Sequence, residues 1–192
     1  MFRFAVFGYL FTLAAATVLA QGGHHGKTPS TGDGTGHGVG HGTPGPHPYA
    51  GMEQRSVKAL SAEQTADLAA GRGMGLALAA ELNGYPGPMH VLELAEPLAL
   101  TPTQHAQVAR LFEDMRRDAI AAGKEVVAAE AALDRLFAEG VANPAGLASA
   151  VMGVAHAQAE LRRVHLSFHL VTHDLLTAEQ RGTYARLRGY RH

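Results

Sequence analysis

From Thr103 to Glu139 the apolar residues of this 192-residue chain recur in alternating steps of three and four. Val108, Leu111, Met115, Ala119, Ala122, Val126, Ala129, Leu133 and Leu136 form one seam at close to heptad spacing, which a helix presents along a single face. Gly140 to Asn143 then reads as a turn, with Asn143 the N-cap and Pro144 the first residue of a second helix. That helix is expected to run to about Leu175. Its seam is Leu147, Val151, Val154, Leu161, Phe168 and Leu175, with Gln158 and Thr172 in the polar gaps. Two long helices joined by a short turn pack as an antiparallel hairpin with a small crossing angle. Alternating β-branched runs are missing, so the expected fold class is all-α.

The helix starts are written with one motif. Leu100-Thr101-Pro102-Thr103-Gln104 opens the first long helix, and Leu176-Thr177-Ala178-Glu179-Gln180 opens a short final one, Ala178 to Leu187. In each, the Thr hydroxyl at the N-cap accepts from the backbone N–H three residues on. The Gln side chain reaches back to the N-cap N–H, and the Leu packs on the first turn. Leu60-Ser61-Ala62-Glu63-Gln64 is a third box of the same type, starting a short helix that ends near Gly71. Leu76 to Leu82 and His90 to Glu96 read as two further short helices. They are separated by Asn83-Gly84 as a C-cap and Tyr85-Pro86-Gly87-Pro88 as a turn. This stretch reads as a packing arm rather than a site. The expected architecture over residues 51–192 is therefore one domain, a hairpin with short flanking helices that dimerises.

The two ends of the chain differ from this middle. Residues 1–20 have the form of a signal peptide: Arg3, an apolar run from Phe4 to Leu19, and a small-residue site for cleavage after Ala20. Residues 21–50 form a tail of Gly, His, Pro, Thr and Ser with too few apolar side chains to fold, so disorder is expected there. It carries His24, His25, His37, His41 and His47, a composition suited to loose binding of zinc, copper or nickel. The chain has no cysteine, which removes disulfides, thiolate metal sites and cysteine nucleophiles. Its net charge is −1 and no basic patch large enough for nucleic acid is evident.

His165, His169 and His173 stand four apart on the second long helix, one above another on one face. A pair at this spacing can chelate one ion, and His165 and His169 lie nearest the seam. Counting back from the turn sets them opposite Asp118 and Asp114, either of which would complete a His₂-carboxylate site. The alternative is charge pairing between these aspartates and protonated imidazoles. Leu166 and Leu170 lie off the seam by about 100–180°, with Phe112 a companion on the first helix. They are expected to form an exposed apolar strip, a partner surface or a dimer contact.

The duplicated Leu-Thr-x-x-Gln motif around a helical hairpin, behind a leader and a His-rich tail, resembles the Spy/CpxP family of periplasmic proteins. The resemblance covers roughly residues 60–190. It implies an antiparallel helical homodimer with a concave surface. It further implies periplasmic residence and binding of non-native proteins without ATP, or of an inner-membrane signalling partner. Relatives of the CnrX-like kind sense heavy metals through a His-x-x-x-His, a Glu and a later His-x-x-x-Met. Here His165 and His169 look like the later pair with His in place of Met, and nothing in the early helices offers a second His-x-x-x-His, since His90 and His105 stand alone there. Two readings follow: a stress protein that binds proteins and transition metal, or a metal sensor acting on an inner-membrane partner. No nucleophile elbow, phosphate loop, dinucleotide fingerprint or Glu-x-x-His pair is present, so neither an enzyme nor an organic cofactor is expected.

Overall fold

A computed structural model describes residues 48–190. The leader, with its cleavage site after Ala20, and the tail histidines His24, His25, His37, His41 and His47 lie outside the described residues. After a single 3-10 turn, Met52–Gln54, the elements are α1 Ala62–Ala70, α2 Leu78–Glu81, α3 Pro88–Glu93, α4 Pro102–Ala138, α5 Pro144–Leu175 and α6 Ala178–Leu187. The fold is all-α, with α4 and α5 packed along each other as a hairpin.

The helix ends follow their capping chemistry. Ser61, Thr101 and Thr177 each accept from the N–H of the Gln three residues on, and each Gln carbonyl accepts from the N-cap N–H in return. Asn143 accepts from Gly146 N–H and starts α5 at Pro144 as expected. Two short helices differ from the sequence pattern. Turns at Gly73 and Gly75 hold Leu76 and Ala77, so α2 begins only at Leu78. Pro88, with its preset φ, starts α3 two residues before His90, and the helix ends at Glu93.

Two apolar cores lie along the hairpin. The first gathers Leu68 of α1, Ala119, Ala122 and Val126 of α4, and Ala157, Leu161 and Val164 of α5. Its tightness comes from Gly123: a Cβ there would stand 2.6 Å from the Leu68 carbonyl oxygen. The second joins Val91, Leu98, Val108, Leu176 and Tyr184, and so ties α3 and α6 to the open end of the hairpin. Toward the turn the seam is less covered. Leu147 and Val151 are exposed there, as are Phe137, Val141 and Met152. Two helices alone have too little depth to bury such side chains fully.

The two Leu-Thr-x-x-Gln boxes meet at the open end. Gln104 Nε2 donates to Gln180 Oε1 at 2.9 Å, and Gln180 Nε2 donates to Gln104 Oε1 at 3.0 Å. Each amide also donates across the chain, Gln104 to the Leu175 carbonyl at 3.0 Å and Gln180 to the Leu98 carbonyl at 3.3 Å. Leu176 is buried in the second core, and Leu100 packs against it. One motif thus caps two helices and joins them reciprocally.

Candidate functional site

Core one ends at Ala119 on α4 and Val164 on α5, and core two resumes at Val108 and Leu176. Between them the arm and the hairpin enclose an open cavity of about 560 Å³. Its walls are mostly apolar: Met74 and Leu78 from the arm, Met89 from α3, and Phe112 and Met115 from α4. The polar groups at its walls are Glu81, His90, His165, His169 and the arginines Arg72 and Arg116.

Glu81 closes α2 and is 5 % exposed. Tyr184 Oη donates to Oε1, Tyr190 Oη donates to the same oxygen at 3.1 Å, and Gly87 N–H donates to Oε2 at 3.1 Å. The Nδ1 atoms of His90 and His169 lie 3.4 Å and 3.7 Å from the carboxylate. Burial by itself raises a carboxyl pKa. Here the His90 imidazole and the Tyr184 and Gly87 donors outweigh it and bring Glu81 down to about 2. Burial and the same carboxylate push the Tyr184 phenol up. Glu81 is therefore an ionised, well-partnered anchor that pins α2 to α6.

His169 is oriented as metal-bound imidazoles usually are. Its Nδ1 lies 2.7 Å from the Tyr85 carbonyl, which acts only as an acceptor, so the neutral ring carries its proton on Nδ1. The lone pair is then on Nε2, and a Cβ at residue 87 would stand 2.8 Å from that atom, so Gly87 keeps the space open. One turn earlier, His165 is 2 % exposed and its Nε2 has no hydrogen-bond partner. Burial, and then the neighbouring His169, hold its pKa below the ordinary value, so the ring is neutral. A buried polar atom left without a partner costs about 1–3 kcal/mol, which an incoming ligand would relieve.

The rest of the expected site divides. His173 is partly buried rather than mostly exposed: it stacks on Tyr85 with ring centroids 4.4 Å apart and lies 3.0 Å from Asp174. It is not on the cavity wall. Asp114 and Asp118 are both ion-paired to Arg117 at the surface. The register brings this turn of α4 beside the histidines, but Met115 and Ala119 occupy the buried face. Each aspartate precedes one of them and is turned about 100° away. The carboxylate near His169 is Glu81 instead. Phe112 faces the cavity and Leu166 is half-buried. Leu170 is exposed beside Val171, so the apolar strip is narrower than expected.

Sequence reasoning passed over Glu81, His90 and the arm as a site. The available signal was the density of Gly and Pro from Gly84 to Pro88, which lets backbone approach a neighbouring ring. Among the described residues, no group of three or more His, Asp or Glu is gathered closely enough to hold a metal by itself. No protein-family model matches the chain, and no curated protein or solved structure matches it.

Proposed function

We propose that this chain is a non-enzymatic, exported binding protein of the Spy/CpxP kind, which takes a transition metal at His165 and His169 and engages other proteins through its apolar surface. The observation that carries the metal half is the pair of imidazoles one turn apart on the wall of a single cavity. One has its Nε2 unpartnered and the other has its Nε2 freed by the Tyr85 carbonyl. The protein-binding half is supported by apolar side chains left in solvent, Leu170 and Val171 on α5 and Phe137, Val141 and Met152 near the turn. A second copy of the chain is the other partner we propose for this surface. The leader-like start favours the periplasm, and among the described residues no helix is long and apolar enough to cross a membrane.

One feature favours the sensor form of this reading. The cavity joins α5 to the arm, so an ion held there would bias how the arm sits on the hairpin. Calorimetric titration of the full chain with zinc, nickel and copper tests the metal half, beside a variant carrying His165→Ala and His169→Ala. We expect the variant to lose about one equivalent and to keep whatever the tail histidines bind. Unchanged stoichiometry in the variant would remove the cavity from the proposal and leave metal to the tail.

A further inference from the structure

Resting on that reading, we infer that the ion selected by this cavity is copper(I), held by the imidazoles of His165 and His169 together with thioether sulfur from one or two of Met74, Met89 and Met115. The inference comes from the donors that face the space. Six methionines occur in the chain and three of them line this one cavity, along with three of its histidines. The only carboxylate there, Glu81, is already occupied by two phenols and a backbone N–H. Hard cations that demand several oxygens find no free set. Zinc and nickel prefer nitrogen, oxygen or thiolate, and the nitrogen and carboxylate donors alone do not assemble into a group of three. Thioether completes the set for one common ion, soft copper(I).

Methionine in a protein usually fills irregular gaps in a core. That account suits Met115, which is buried, but not the other two. Met74 is 41 % exposed and Met89 43 % exposed, each at the cavity wall instead of inside a core cluster. Met74 also holds a left-handed φ of 45°, which costs a non-glycine residue energy that packing at such exposure does not return. The flanking Gly73 and Gly75 let this turn adjust, and three rotatable bonds let each thioether reach inward. His165 supplies the independent sign of an absent ligand: it is almost wholly buried, it faces the cavity, and its Nε2 meets no protein partner.

The test uses the full chain with His24, His25, His37, His41 and His47 each changed to Ser, so that the tail is silent. Copper(I) is titrated without oxygen against a colorimetric copper(I) chelator, and zinc is titrated in parallel. Three proteins are compared: this background, the same with Met74→Leu, Met89→Leu and Met115→Leu, and the same with His165→Ala and His169→Ala. Leu conserves volume, so the sulfur is removed with little loss of packing. We expect copper(I) affinity to fall by about two powers of ten in the methionine variant while zinc binding stays where it was. Copper(I) binding unchanged in the methionine variant but lost in the histidine variant would overturn the sulfur assignment and leave the metal-binding reading standing. Binding unchanged in both would overturn both. Should the methionine variant fail to fold, X-ray absorption of the copper-loaded background protein decides: sulfur in the first coordination sphere is expected, and nitrogen and oxygen alone would overturn the assignment.

Discussion

Glu81 shows how far a single side chain can depend on residues remote from it. In the sequence it is one acid in the run Leu78-Ala79-Ala80-Glu81-Leu82, with no local sign of burial. Its environment is built by Tyr184, 103 residues later, by Tyr190 and by the Gly87 backbone. None of this follows from helix periodicity, which is why the arm reads from sequence as packing alone. The histidine pair was legible because four-residue spacing is a property of one helix. Its carboxylate partner was not, because a rotation of one residue separates Asp114 from Met115. Glu81 also fixes a pH dependence. Its folded pKa is near 2, below the ordinary carboxyl value of 4.5. The stability it contributes is therefore present above pH 4.5 and lost as the pH falls toward 2. We expect wild type to lose up to about 3 kcal/mol across that window relative to Glu81→Gln, measured by urea denaturation at several pH values. Parallel curves for the two proteins would show that the carboxylate is not held as described.

At the scale of elements, the long helices were legible almost to the residue. The seam, the Asn143-Pro144 start and the capping boxes agree with each other and with α4, α5 and α6. The sequence also shows that Leu-Thr-x-x-Gln occurs twice, but pairing of the two glutamines is a matter of tertiary register. Each Gln does two jobs, since its amide oxygen accepts from the N-cap N–H and from the other Gln. Removal of either breaks its own cap and strips the partner amide of both a donor and an acceptor. We expect Gln104→Ala and Gln180→Ala each to cost about 1–3 kcal/mol. The double variant should cost less than the sum, by about 0.5–2 kcal/mol. Thermal or urea unfolding of the four proteins of the cycle measures this, and simple additivity would mean that the reciprocal pair carries no coupling.

Over the whole molecule, stabilising contacts are unevenly spread along the hairpin. The open end has the paired boxes, the second core and the Glu81 anchor; the turn end has exposed apolar side chains and an Ala- and Gly-rich start to α5. Local opening takes the regions with the fewest buried contacts first. We expect amide hydrogens of residues 136–150 to exchange fastest within the hairpin, and those of 108–119 and 161–172 slowest, as read by hydrogen–deuterium exchange. Uniform protection along α4 and α5 would contradict this gradient. The pairing of Gln104 with Gln180 bridges 76 residues of chain, and so closes the two helices into a loop without a covalent link. Hairpin continuity at Val141 to Asn143 is then not what holds α4 to α5. A protease cut in that turn makes association of the halves bimolecular, at a cost of about 4 kcal/mol or more, so the nicked halves stay paired only as far as the contacts at the end opposite the cut outweigh it.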